Sequence, residues 1–154
     1  KYNLDTEIKW PNDLRADGRK IAGILTEAVI KGDCVQGIII GIGVNLNMNE
    51  KTIKKINQPA TSLNILTGVK INKDEFLDFF LNEFFLEYNK FLEQGFSLIE
   101  EEYKMLSMVL GKKVRVVVSD KEYCGIAKDI DNKGQLVLNC NDKEEIINIG
   151  DILC

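Results

Sequence analysis

The 154-residue sequence contains no histidine, and only one tryptophan and two prolines. Without histidine there is no Ser-His-Asp or Cys-His nucleophile and no imidazole-ligated metal, so any catalysis falls to Lys, Asp, Glu, Asn or the backbone. The four cysteines, Cys34, Cys124, Cys140 and Cys154, lie far apart with no Cys-x-x-Cys pair. That spacing removes a thiolate zinc set and leaves reduced thiols, expected to be mostly buried. No uninterrupted apolar run approaches the roughly 18 residues that a bilayer span needs, so no membrane association is expected. Lys1-Tyr2-Asn3-Leu4-Asp5 has no apolar stretch of the signal-peptide kind, and the expected location is cytoplasmic. Basic residues are scattered among acidic ones around a net charge of −4. No stripe suited to a phosphate backbone results, and nucleic acid is not an expected partner. What is present, 45% hydrophobic and 29% charged residues, is the balance of a globular fold.

Positive charge gathers in one place, where Lys9, Arg15, Arg19 and Lys20 fall within the stretch from Lys9 to Leu25. Such a local cluster on a mildly acidic chain suits a polyanionic small molecule. Asp17-Gly18 predicts a two-residue type I′ turn, because both residues tolerate positive φ, and so a tight hairpin. Pro11 removes a donor and biases Trp10 toward extended backbone, ending the first strand at Trp10 and turning the chain through Asn12 and Asp13. On the far arm, simple alternation puts Lys20, Ala22, Ile24 and Thr26 on one face and Ile21, Gly23, Leu25 and Glu27 on the other. Beyond Lys20 that strand is expected to be buried. Each residue also has an ordinary explanation: a solvated lysine beside a turn, turn-capping Asn and Asp, a glycine at a bulge.

Extended runs are expected at Thr6 to Trp10, Leu14 to Ala16, Arg19 to Ala28 and Val35 to Asn45, forming an antiparallel meander. The run from Val35 to Val44 is apolar on both faces, which predicts a covered central strand. Gly37, Gly41 and Gly43 either admit a ligand close to the backbone or relieve crowding in a core strand. Residues 46 to 60 are polar and predict a loop. Thr61 or Ser62 then caps a short helix ending at Gly68, and Asn72-Lys73-Asp74-Glu75 caps a long one running to about Glu93 before Gly95. Phe76, Leu77, Phe80, Leu81, Phe84, Tyr88, Phe91 and Leu92 recur at helical spacing, a face expected to pack on the sheet as core. A shorter helix is expected over Leu98 to Leu106. Strands at Lys112 to Val118, Glu122 to Lys128, Gln135 to Cys140 and Glu144 to Ile149, separated by polar turns, predict a small closed barrel.

Lys9-Trp10-Pro11-Asn12-Asp13, the hairpin, and Arg19-Lys20-Ile21-Ala22-Gly23-Ile24-Leu25 together resemble the signature of biotin protein ligases, the holocarboxylase synthetase family. The likeness continues at Gly41-Ile42-Gly43-Val44-Asn45-Leu46-Asn47, at Ala60-Thr61-Ser62-Leu63, and through the terminal strands, which resemble that family's SH3-like C-terminal domain. The resemblance implies an α+β fold in which a mixed or antiparallel sheet is packed by helices, as in class II aminoacyl-tRNA synthetases. It places part of the catalytic domain in residues 1–108 and the barrel in 109–154. It also implies ATP-dependent attachment of biotin to a lysine of a biotin carboxyl carrier protein through biotinyl-adenylate, with Mg²⁺ accompanying ATP.

By that resemblance Lys20 is the catalytic residue and also contacts biotin, between a carboxylate and an α-phosphate that must approach each other. Gly23, Gly41 and Gly43 resemble the floor for the biotin ring. Lys9, Asn12, Asp13 and Asn45 resemble nucleotide contacts, with Asp13 helping to hold Mg²⁺ through the nucleotide. Arg19 is given no role. The family's Gly-Arg-Gly-Arg-type biotin loop precedes the Lys-Trp-Pro-Asn-Asp motif, and this sequence begins eight residues before that motif. The expectation is therefore a fragment with little activity alone, whose exposed sheet edge favours a homodimer. The alternatives are a non-catalytic module binding a carrier protein or small ligand, and a lipoate ligase relative.

Overall fold

A computed structural model describes residues 1–153, and among them the chain divides into two compact units. One comprises Lys1–Glu7 and Asn12–Ile71; the other comprises Ile8–Pro11 and the described residues from Asn72 onward.

The first unit is built on an antiparallel ribbon. Strands β1 (Thr6–Lys9), β2 (Asp13–Ala16), β3 (Arg19–Lys31) and β4 (Cys34–Val44) follow one another in sheet order. Asp17 and Gly18 take φ of 50° and 69°, the paired positive values that a type I′ turn requires, so the β2–β3 hairpin forms as its sequence predicts. Gly18 and Asp17 supply what a β-branched residue there could not. Arg15, nearly buried, steadies the turn by donating from Nη1 to the Gly18 carbonyl at 3.1 Å. Ala16, Ile21, Ala60, Leu63 and Ile71 are buried, with Thr61 and Ser62 fully so. The polar loop contains one short helix that the sequence did not announce, α1 (Glu50–Ile53), capped by the Asn49 side chain. Next comes α2 (Leu63–Thr67), which starts after Ser62 and ends on Gly68 with φ 74°.

Two expectations about burial fail here. Beyond Ile21 the long β3–β4 ribbon is open, with Leu25, Ile30, Val35 and Ile38 each more than 60% exposed. Apolarity on both faces signals a strand that needs cover, but cover comes from other elements, and the described residues place none over this part of the ribbon. Likewise Cys34 and Cys124 are exposed and Cys140 is half-buried, against the expectation of buried thiols. Cys154 lies outside the described residues.

In the second unit, α3 (Lys73–Gln94) starts as its sequence dictates: the Asn72 side chain accepts from the Asp74 and Glu75 amides and donates to Glu75 Oε1 at 2.9 Å. Asp74 and Glu75 also complement the helix dipole. The aromatic face of α3 is not core, because no residue of this helix is buried. Phe80, Phe84 and Tyr88 stack along the helix on one another instead, with centroids 5.6 to 5.9 Å apart. A 3₁₀ turn (Gly95–Leu98) leads into α4 (Glu100–Leu106), which covers the shorter helix expected there. Lys104 of α4 bridges Glu100 at 2.8 Å and Asp129 at 2.9 Å.

Five antiparallel strands close the chain: β5 (Lys113–Val118), β6 (Lys121–Ile130), β7 (Leu136–Cys140), β8 (Lys143–Ile147) and β9 (Asp151–Leu153), in the order β8-β7-β6-β5-β9. Val116, Ala127, Ile130, Leu136 and Leu138 are fully buried at its centre. Gly125 is needed on β6, since an added Cβ would run into the Asn139 carbonyl of β7. Joining this core is a residue from far upstream: Trp10, 2% exposed, with Nε1 donating to the Gly134 carbonyl at 3.0 Å.

Candidate active site

The strand register decides where Lys20 points. Asp13 pairs with Gly23 and Leu14 with Ala22, but Arg15 then pairs with Lys20, so Ile21 is an extra residue on β3. Such a bulge breaks the two-residue alternation and re-aims the neighbouring side chain. Simple alternation had put Lys20 and Gly23 on opposite faces. In the structure, the position of a Cβ on Gly23 would fall 2.9 Å from Lys20 Nζ and 3.2 Å from Asp13 Oδ1. Lys20, Gly23 and Asp13 thus share one face, and the missing side chain of Gly23 is the space in which the ammonium sits.

Lys20 Nζ lies 2.5 Å from Asp13 Oδ1, and the two side chains are 28% and 17% exposed. A pair this sheltered is screened less than a surface one. The backbone of Lys20 is fixed on both sides: its amide donates to the Pro59 carbonyl at 2.9 Å, and its carbonyl accepts from the Thr61 amide at 2.9 Å. Thr61 is held in turn by Asn45, whose Nδ2 donates to the Thr61 carbonyl at 2.9 Å. Sequence reasoning did not find this support from Pro59 and Thr61. The signal in the sequence was the Ala60-Thr61-Ser62-Leu63 run, legible as part of the family resemblance and as a helix cap but not as a partner of Lys20. Asn12 closes the other side by accepting from the Ile24 amide at 3.0 Å and donating Nδ2 to the Ile24 carbonyl at 2.5 Å.

These residues line a cleft of about 720 Å³ on the β2–β4 face. Asn12, Asp13, Lys20, Gly23, Gly41, Gly43 and Asn45 all border it. Gly23 pairs with Gly43, and Leu25 with Gly41, so three glycines leave a backbone-lined floor beside the ammonium. Lys9 does not border the cleft; it belongs to β1, whose segment from Ile8 goes with the other unit. Arg19 pairs loosely with Asp17 at the surface, at 3.5 Å. Among the described residues no group of three acidic, thiol or imidazole ligands gathers anywhere. A divalent cation at Asp13 would therefore draw most of its oxygen ligands from a bound phosphate and water. Among the described residues no helix is long and apolar enough to cross a membrane.

Two family models match the sequence: the biotin/lipoate A/B protein ligase family over residues 2–45, and the biotin protein ligase C-terminal domain over residues 109–153. The bifunctional ligase/repressor BirA of Bacillus subtilis is 33% identical over 150 residues, covering 97% of this chain and 46% of the relative. The biotin--[acetyl-CoA-carboxylase] ligase of Paracoccus denitrificans is 33% identical over 133 residues, covering 85% and 55% respectively. The chain thus spans about half the length of the curated relatives it matches. Among solved structures, the apo biotin protein ligase of Aquifex aeolicus matches with a TM-score of 0.84 at 25% identity, over 99% of this chain and 66% of that one. The same Aquifex protein in complex with biotin and ATP gives a TM-score of 0.81.

Proposed function

Because the chain belongs to the biotin protein ligase family, we propose that it supplies the Lys20 half of an ATP-dependent biotin ligase. In this reading a biotin carboxylate oxygen bonds to the α-phosphorus of ATP while the bond to pyrophosphate breaks. A carrier-protein lysine amine then attacks the acyl carbon of the adenylate, and AMP leaves. The observation that carries it is the Lys20 ammonium, held over a glycine floor beside Asp13 with its backbone fixed at both ends. Two anions must meet in the first step, and a positioned point charge stabilises the charge that builds on the phosphoryl oxygens. Gly41 and Gly43 leave room for a flat ring against the backbone, and Asn12, Asp13 and Asn45 border the same cleft on the nucleotide side. Asp13 would supply the single protein carboxylate for a Mg²⁺ arriving with the nucleotide, and the ion would neutralise phosphate charge there. Lys9, which is not among the residues bordering the cleft, is given no contact in this reading. The carrier is a biotin carboxyl carrier protein domain, the location cytoplasmic, and residues 109–154 form the terminal barrel domain.

The name of the first matching family also covers lipoate, but the match at residues 109–153 and the named relatives favour biotin. The test is biotin-dependent exchange of labelled pyrophosphate into ATP, run on the chain alone and joined behind the N-terminal half of the Bacillus subtilis relative. Exchange with biotin in the joined protein supports the reading. Exchange with lipoate alone moves it to the sister activity, and none with either acid leaves only a binding module of the same fold.

A further inference from the structure

Asn45 borders the cleft on the nucleotide side, yet its hydrogen bonds run to the protein around Lys20. Ladder pairing between β3 and β4 ends with Ala22 opposite Val44, so β4 stops short of Lys20. The Asn45 amide adds one more bond, to the Ile21 carbonyl at 2.9 Å. At Lys20 itself the neighbour is the strip of residues 59–61, which forms a parallel bridge through Ala60 and takes up both backbone groups of Lys20. Toward β2, the bulge at Ile21 interrupts the regular pairing. Lys20 therefore depends on the strip more than a residue inside an unbroken ladder depends on either neighbour.

The strip ends a polar loop and belongs to no strand. Among the described residues the one side chain that hydrogen-bonds it is Asn45, whose Nδ2 donates to the Thr61 carbonyl at 2.9 Å. Two residues on, the Leu63 amide donates to the Asn45 carbonyl at 2.8 Å, and Thr61 and Ser62 between these bonds are fully buried. Asn45 thus ties the end of β4 to Ile21 on one side and to Thr61 and Leu63 on the other, all within the first unit. With Thr61 buried, loss of the Asn45 donor leaves an unpaired buried acceptor unless the strip moves, and the strip cannot move without the backbone of Lys20. The geometry points to Asn45 as a positioning residue for Lys20: acting through Thr61, it keeps the strip against β3 and so fixes the backbone from which the ammonium reaches Asp13. The inference rests on the adenylate-forming reading for its catalytic consequence, and on the hydrogen bonds alone for its structural one. Displacements of well under 1 Å at a reacting centre are enough to slow a reaction severalfold.

Asn45→Ala removes the side-chain donor and keeps the two backbone bonds of residue 45. In hydrogen exchange on this chain, the Thr61 and Lys20 amides should exchange about 5- to 10-fold faster in Asn45→Ala, the loosening expected from one lost hydrogen bond, with the amides of β6 and β7 unchanged. Unchanged protection at Thr61 and Lys20 overturns the inference whatever the activity proves to be. In the exchange-competent joined protein, Asn45→Ala should lower kcat for pyrophosphate exchange about fivefold with the KM values for biotin and ATP unmoved. A rise in the ATP KM with kcat and amide protection held makes Asn45 a nucleotide contact only and refutes the positioning role. Absence of exchange in the unsubstituted joined protein refutes the ligase reading and leaves the amide measurement to decide this one. If Asn45→Ala does not fold, Asn45→Asp, which keeps the shape of the side chain and loses the donor, carries the amide measurement with the same expected direction.

Discussion

Replacing Gly23 with alanine separates the chemistry of this site from its stability. The added methyl group would lie 2.9 Å from Lys20 Nζ and 3.0 Å from Lys20 Cε. Ordinary van der Waals contact needs about 3.5 Å or more, so the ammonium must retreat by roughly 0.5 to 1 Å. The atoms in the way are the far end of a flexible side chain, and the backbone of β3 need not move. Starting from the 2.5 Å pair with Asp13, such a retreat at an effective dielectric of about 20 removes about 1 to 2 kcal/mol of attraction. A displaced charge is felt fully in the transition state, so biotin-dependent pyrophosphate exchange should slow about tenfold. Stability should change by no more than about 1 kcal/mol: Gly23 sits inside β3, where alanine is favoured over glycine by about 0.5 to 1 kcal/mol through the unfolded chain, which offsets much of the attraction lost from a pair still partly open to solvent. The assay is exchange rate alongside thermal unfolding of the same preparations. Undiminished exchange, or loss of activity accompanied by a destabilisation well beyond about 2 kcal/mol, would refute the idea that Gly23 is the seat of the Lys20 ammonium.

Lys20→Ala should depress exchange far more than it weakens biotin binding measured by calorimetry, and Lys20→Arg should fail too, since a planar fork does not fit a space that a methyl group would fill. Equal losses in rate and affinity would contradict the role given to this charge. Gly125→Ala is the opposite of Gly23→Ala, because here the obstacle is the Asn139 backbone; it should destabilise the barrel by about 1 to 3 kcal/mol in urea unfolding. Tyr103, raised from an ordinary 10 to about 12 by burial, keeps its proton in the folded chain when the unfolded chain has lost it. Its contribution to stability is thus full below pH 10 and lost as pH rises toward 12, and the fall in urea midpoint over that window should be shallower in Tyr103→Phe. The outer edge of β4, with Val35, Ile38 and Ile39 exposed, should drive concentration-dependent self-association of this chain in sedimentation, reduced by Ile39→Lys. A monomer at all concentrations would count against a sheet-edge dimer.

Features that close within a few residues were legible in the sequence. The Asp17-Gly18 turn, the Asn72 cap, the stops at Gly68 and Gly95 and the strands of the terminal barrel depend on local dihedrals and on donors a few positions away. The grouping of Asn12, Asp13, Lys20 and Asn45 with the glycine strand was legible through a resemblance, and the cleft gathers them. Tertiary structure alone decided the rest. The face on which Lys20 stands depends on the bulge at Ile21, a register shift that no two-residue period reveals. The grip of Pro59 and Thr61 on Lys20, and the insertion of Trp10 among barrel residues more than 90 positions later, are pairings across long loops with no local trace. Burial was misjudged along β3, β4 and α3 for the same reason: hydrophobic periodicity marks a face that wants cover, and only the arrangement of other elements determines whether cover is there.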